Sequence, residues 1–203
     1  MSGTVLAVAY QVVSRLAYVV GVGVALTLQH RRQIFTRKDG VEAGFRRFRR
    51  FAALVMNNDV VSLIVLCLVT RDTIAAGPSP AALRVTGALF VIVGLWVKFA
   101  AARQLGAPSY YWHNFFAPEA RAPCPSGPYR YLKNPMYTVG YLPAYGVALL
   151  CGSWLGLWGA AFDQAAILTF YFLVEKPHFE LLTNGATRGS REQPGGQYAD
   201  TNR

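Results

Sequence analysis

The segment from Ser109 to Gly140 (SYYWHNFFAPEARAPCPSGPYRYLKNPMYTVG) gathers aromatic rings, basic side chains and prolines in one short run. A carboxylate, Glu175, follows after two apolar stretches, in Glu175-Lys176-Pro177-His178. Residues of these types can hold a charged ligand. A carboxylate pairs with an ammonium, Arg130 or Lys133 pairs with a carboxylate, and the faces of Trp112, Phe116, Tyr129, Tyr131 or Tyr137 attract a cation. Spacing should bring the two segments together. From Tyr137 an apolar stretch of about 18 residues leads away and another of about 18 returns, so Asn134 and Glu175 are expected at one depth. Composition alone also fits an interfacial belt of Tyr and Trp with snorkelling Arg. The order of Gly127-Pro128-Tyr129-Arg130-Tyr131-Leu132-Lys133-Asn134-Pro135-Met136-Tyr137, with Gly140 following, favours a site.

The elements that must position these residues are apolar. The chain has 203 residues, 53% hydrophobic and 15% charged, against about 25% charged in an average soluble domain. Such a composition excludes disorder as the dominant state. The net charge of +10 would suggest nucleic acid in a soluble protein. Here the charges lie between long apolar runs, so anionic lipid headgroups and membrane topology account for them, and no nucleic-acid partner is expected. Cys67, Cys124 and Cys151 are scattered and odd in number, which argues against a disulfide framework and a metal site.

A spanning helix needs about 20 mostly apolar residues. Candidates run from about Val5 to Leu28, Phe51 to Thr70, Leu83 to Ala101, Tyr137 to Trp154 and Leu157 to Val174. The expected fold is therefore all-α and membrane-embedded, with about five spans. The last two form a tight hairpin, with the aromatic and basic loop before it. The loop Gln29–Arg50 carries Arg31, Arg32, Arg37, Lys38 and a second arginine cluster from Arg46 to Arg50. Arg103, Arg121, Arg130 and Lys133 precede the fourth span, Lys176, Arg188, Arg191 and Arg203 follow the fifth, and the opposite side keeps Arg71 and Arg84. The asymmetry predicts an external N-terminus, a cytosolic C-terminus and a site at the cytosolic face. Residues 185–203 are polar and Gly-rich, which predicts a disordered tail.

Ionisable residues also fall inside the spans. Arg15 and Asp59 should each lie about 15 Å deep, where an unpaired charge costs at least ~2.5–3.5 kcal/mol. An Arg15–Asp59 contact between adjacent helices resolves this, with Asn57 or Asn58 adding hydrogen bonds. Asp163 has no equally evident partner, and Lys98 is expected near a span end, snorkelling.

The run Lys133-Asn134-Pro135-Met136-Tyr137 with Gly140, closed by Glu175-Lys176-Pro177-His178, resembles the signature of integral-membrane methyltransferases, the isoprenylcysteine carboxyl methyltransferase and phospholipid methyltransferase group. The common form is Arg-His-Pro-x-Tyr opening a helical hairpin that ends in Glu-Glu or Glu-x-Pro. Lys133-Asn134 stands in place of Arg-His, and Lys176 in place of the second Glu. The Asn-Pro-Met-Tyr form, preceded by Glu119-Ala120-Arg121, is more similar to phosphatidylethanolamine N-methyltransferases. The resemblance covers about Val91 to Leu182, within one transmembrane domain over residues 1–184.

The resemblance implies S-adenosylmethionine as cofactor and a membrane lipid as substrate. It assigns cofactor binding to Gly94, Tyr129, Arg130, Lys133, Asn134, Pro135, Tyr137, Gly140 and Glu175. Gly94 represents a Gly-x-Gly element of an earlier span, and Glu175 meets the cofactor's ammonium. Glu175, His113 or Asp163 would act as base toward an amine acceptor. The implied reaction is methylation of a phosphatidylethanolamine-like amine. Carboxyl O-methylation of an isoprenylcysteine-like acceptor is the alternative, and a non-catalytic scaffold or lipid-binding protein of the same fold is the second.

Overall fold

The computed structural model describes residues 2–74, 79–117 and 126–182. The tail expected from residue 185 and the Glu119-Ala120-Arg121 segment lie outside these. The described chain is helical: α1 spans Gly3–Arg32, α2 Thr36–Val69, α3 Pro80–Tyr110, α4 Leu142–Leu150 and α5 Trp154–Phe170. Serine hydroxyls cap three of them, Ser2 accepting from Val5 N, Ser79 from Ala82 N and Ser153 from Gly156 N. These bonds satisfy amides that have no partner within the helix. Two positive-φ glycines bend the long helices, Gly40 (φ 77°) near the start of α2 and Gly106 (φ 76°) ahead of Pro108 in α3.

Among the described residues, four helical segments, Gly3–Arg32, Thr36–Val69, Pro80–Phe115 and Trp154–Leu182, are long and apolar enough to cross a membrane. Val139–Leu150 is apolar but shorter. At about 1.5 Å per residue it rises about 18 Å, well short of a hydrocarbon core ~30 Å thick. The expected hairpin is present, with α4 and α5 joined through Cys151-Gly152-Ser153, but its first arm is helical only from Val139. Before that point the chain is wound into turns: the Asn134 carbonyl accepts from Thr138 N and the Pro135 carbonyl from Gly140 N.

Small residues let α4 lie close on α3. A Cβ at Gly146 would stand 2.7 Å from the Gly87 carbonyl oxygen, and one at Gly94 would stand 2.3 Å from Pro143 Cδ. Glycine permits such backbone contact in membrane helices. α1 packs along α2, and α5 contacts α1, α2 and α4, whereas α2 and α3, consecutive in sequence, scarcely touch. The outward faces carry Val13, Val20, Leu54, Val60 and Trp96, all well exposed, as lipid-facing surfaces require.

The expected contact between Arg15 and Asp59 is present at 2.8 Å. Arg15 also meets Asp163 Oδ1 at 2.9 Å and donates to the Tyr141 hydroxyl at 2.5 Å. Gln11 donates to both oxygens of Asp163 (2.8 and 2.7 Å) and accepts from the Ser62 hydroxyl at 2.6 Å. One buried polar layer thus ties α1, α2, α5 and the turn before α4 together. Asn58 serves another purpose: it donates to Ser14 and accepts from Tyr10. Asp163 therefore has two partners, Arg15 and Gln11, that neighbouring sequence does not suggest.

Candidate active site

Glu175 is 6% exposed. Its Oε1 accepts from Trp112 Nε1 and from the Tyr137 hydroxyl, each at 2.5 Å. Three parts of the chain meet here: the segment that follows α3, the turn that precedes α4, and the last membrane helix. Neither bond reaches Oε2. The helix around Glu175 widens into a π turn at Tyr171–Glu175 before resuming to Leu182, a feature frequent at functional sites.

Trp112 and Tyr137 also line a cavity of about 310 Å³. Its polar wall holds Arg15, Asp59, Asp163 and Lys98, and aromatic rings from Tyr18, Tyr110 and Tyr141 stand beside them. Asn57 also lines it, and most of the remaining wall is apolar, including Val60, Ile64 and Leu95. These three are partly exposed (56, 39 and 39%) and belong to α2 and α3, the two helices that do not pack together. A charged interior is therefore reached through an apolar flank.

The expected site residues divide by location. Tyr137 bonds Glu175 directly, and Gly140 and Asp163 line the cavity. Tyr129 is half-buried, and burial together with the charge of Glu175 pushes its hydroxyl up to about 12. Asn134 shapes the turn: its Oδ1 accepts from Tyr137 N at 3.4 Å and its carbonyl from the Thr138 hydroxyl at 2.7 Å. Pro135 is fully buried, and a Cβ on Gly140 would press to 2.8 Å on its carbonyl oxygen. Gln164 fixes the same turn by donating to the Tyr137 carbonyl at 3.1 Å. Arg130 and Lys133 are exposed, with the Arg130 guanidinium over the Tyr131 ring at 5.8 Å. Gly94 lies against Pro143, and the His113 ring stands edge-on to Phe45 at 4.6 Å. Phe116 packs into the aromatic core with Phe45 and Phe48.

Hydropathy places Lys98 near a helix end. α3 continues past it to Tyr110, so Lys98 lies within the helix and lines the cavity. Sequence reasoning also passes over Gln11, Tyr18 and Tyr141. Gln11, Ser14, Arg15 and Tyr18 share one face by their i, i+3, i+4, i+7 spacing, a polar stripe in an otherwise apolar helix, and that stripe is the available signal. Beyond Glu175, the His178 ring stacks on Phe115 with centroids 3.7 Å apart, and its Nε2 lies 3.2 Å from the Asn114 carbonyl oxygen. Asn114 Nδ2 and His178 Nδ1 are buried without a hydrogen-bond partner among the described residues.

Residues 83–182 match the family model described as phospholipid methyltransferase. Over 136 residues the chain is 36% identical to the phosphatidylethanolamine N-methyltransferase of Paracoccidioides brasiliensis (strain Pb03), an alignment covering 62% of this chain and 14% of that protein. It is 31% identical over 151 residues to the enzyme of the same description from Schizosaccharomyces pombe, covering 74% of this chain and 17% of that one. For the Chaetomium globosum protein of that description the identity is 32% over 139 residues, with coverages of 68% and 15%. The chain thus spans less than a fifth of the length of these curated relatives. No solved structure matches it.

Proposed function

From the match of residues 83–182 to the phospholipid methyltransferase family, we propose that the chain transfers a methyl group from S-adenosylmethionine to the amine of a membrane phospholipid. The observation that carries this reading is the buried Glu175 carboxylate, held through Oε1 by Trp112 and Tyr137 at the edge of a cavity with an apolar flank. The residues present fit such a cofactor. Glu175 Oε2, untouched by the two donors, suits the α-ammonium, and the rings of Trp112 and Tyr137 suit a sulfonium. The unspent Asn114 Nδ2 donor and His178 Nδ1 suit hydroxyl or amine groups of the nucleoside part. When bound, the cofactor supplies a methyl already activated by positive sulfur.

The protein's own part is then alignment and exclusion of water. Asn134, Pro135, Gly140 and Gln164 hold Tyr137, and Tyr137 holds Glu175. An amine acceptor must lose a proton before its lone pair can attack, and a water-poor cavity favours the neutral amine. Of the candidate bases, Asp163 lines the cavity, but Gln11 and Arg15 occupy both of its oxygens. His113 is not among the cavity-lining residues. We place the basic ends of the helices in the cytosol, so that the cofactor enters from there and the lipid between α2 and α3. Anionic headgroups would gather around the arginines of Gln29–Arg50.

The test is methyl transfer from radiolabelled S-adenosylmethionine into extracted membrane lipids separated by headgroup. Label in N-methylated derivatives of phosphatidylethanolamine is expected. Label only in base-labile esters would favour carboxyl O-methylation. If millimolar S-adenosylhomocysteine gave no thermal stabilisation of the purified protein, a non-catalytic role would follow.

A further inference from the structure

We propose that Asp59 and Lys98 form the headgroup subsite for a zwitterionic lipid, Asp59 receiving the ammonium and Lys98 the phosphate. The proposal rests on the phospholipid-amine reading above and names residues for it. Asp59 is 4% exposed and lines the cavity. Its Oδ2 meets Arg15 at 2.8 Å, whereas Oδ1 is buried and has no hydrogen-bond partner among the described residues. A buried carboxylate oxygen left without a donor is costly and marks a place where a ligand supplies the donor. The donor it calls for is cationic, since hydrogen bonds with charged partners are the strong ones. A metal ion is a poor fit: no group of three or more His, Cys, Asp or Glu residues gathers among the described residues.

Lys98 supplies the complementary charge. It lines the same cavity and makes no hydrogen bond or ion pair among the described residues. The acidic and basic side chains of the wall are Arg15, Lys98, Asp59 and Asp163, two of each kind. A headgroup with one positive and one negative charge therefore enters without leaving a net charge in a water-poor space. A purely anionic headgroup would satisfy Lys98 but face Asp59 without a cation to offer it. The apolar flank of Val60, Ile64 and Leu95 is where acyl chains would remain. Arg15 positions Asp59, and the Glu175 cluster is left to the cofactor.

The experiment uses the full chain in detergent micelles and reads binding, with no need for turnover. Equilibrium dissociation constants are measured for spin-labelled phosphatidylethanolamine and for a spin-labelled long-chain primary amine that lacks phosphate. Asp59→Asn should weaken both ligands at least about tenfold and leave the S-adenosylhomocysteine affinity within about twofold. Lys98→Met should weaken the phospholipid about tenfold and the plain amine far less, collapsing the preference of the parent protein for phosphate. Unchanged phospholipid binding in both variants would overturn the proposal. So would an S-adenosylhomocysteine loss in Asp59→Asn matching the lipid loss, which would assign Asp59 to the cofactor. If Asp59→Asn fails to fold, the selectivity of Lys98→Met decides. A parent protein that binds the phospholipid in this manner but never methylates it would refute the enzymatic reading while leaving the subsite standing.

Discussion

Phe170 and Glu175, five residues apart on the last membrane helix, are both buried against the same interior. In an unbroken α-helix, residues five apart point about 140° away from each other. The π turn at Tyr171–Glu175 absorbs the difference, so Phe170 packs on Trp112 with centroids 5.5 Å apart while Glu175 accepts from the same indole. The orientation of the proposed cofactor carboxylate is thus built into the backbone.

Glu175→Gln keeps the size of the side chain and removes its charge. Losing one half of a buried charge pair costs roughly 2–5 kcal/mol, so S-adenosylhomocysteine should bind at least about 30-fold more weakly, read by calorimetry. Glu180 is largely exposed and lies 3.8 Å from Lys176, and Glu180→Gln should bind like the parent. The reverse pattern would remove Glu175 from the site.

Gly146→Ala tests the close approach of α3 and α4. The new Cβ would stand 2.7 Å from the Gly87 carbonyl oxygen and 2.9 Å from Val91 N, both backbone atoms that cannot swing aside. Overpacking of this kind costs about 1–3 kcal/mol, visible as a lowered melting temperature in detergent. Gly3→Ala, with nothing within 4 Å of its added carbon, is the control and should melt with the parent.

Arg15→Met should be the most damaging change in the buried layer, because it strands Asp59 and Asp163 together without their shared cation. Removing one partner from a buried pair typically costs 3–5 kcal/mol, and expression of folded protein should fall sharply. Asp163→Asn keeps one oxygen to accept from Arg15 and Gln11 but sets an amide donor where the second oxygen accepted from Gln11. It should lower methyl transfer or thermal stability while leaving S-adenosylhomocysteine affinity near the parent value, measured on the same sample. A large affinity loss there would place Asp163 in the cofactor site.

Topology is open to direct labelling. Thr73→Cys, in the segment after α2, should react with an impermeant thiol reagent in intact cells. Arg46→Cys, in the basic stretch of α2, should react only after permeabilisation. The opposite result would invert the orientation drawn from the Lys and Arg asymmetry.

The membrane helices were legible because an apolar run of about 20 residues matches the thickness of a hydrocarbon core. The Arg15–Asp59 contact was legible because two lone charges at one depth have little else to meet. The partners of Asp163 were not, since Gln11 lies 152 positions away and only the α1–α5 packing brings it near. Lys98 lies inside a helix rather than near its end for a related reason: hydropathy ends the third span near Ala101, whereas hydrogen bonding carries the helix to Tyr110. Hairpin spacing brings Asn134 and Glu175 to one depth, yet the first arm is shorter than that spacing requires. Prolines at 135 and 143, with a turn stitched by Asn134, start the helix late. The π turn left no sequence signal, because its cause is the tertiary demand that Phe170 and Glu175 both face inward.

Deleting Leu173 tests that last point. The residue is 72% exposed, so its side chain contributes little to packing. A π turn holds one residue more than the α turn that spans the same two ends. Removing one residue from Tyr171–Glu175 should therefore let the helix close into regular α geometry, with Phe170 and Glu175 keeping their positions. The deletion is expected to fold, and S-adenosylhomocysteine affinity should stay within about threefold of the parent, a cost below about 1 kcal/mol. Deleting Leu168, inside regular α5, has no slack to absorb. It should turn everything beyond by about 100°, carry Glu175 away from Trp112 and Tyr137, and abolish measurable binding. Equal loss in both deletions would mean that the width of the turn, rather than the direction of Glu175, is what the site requires.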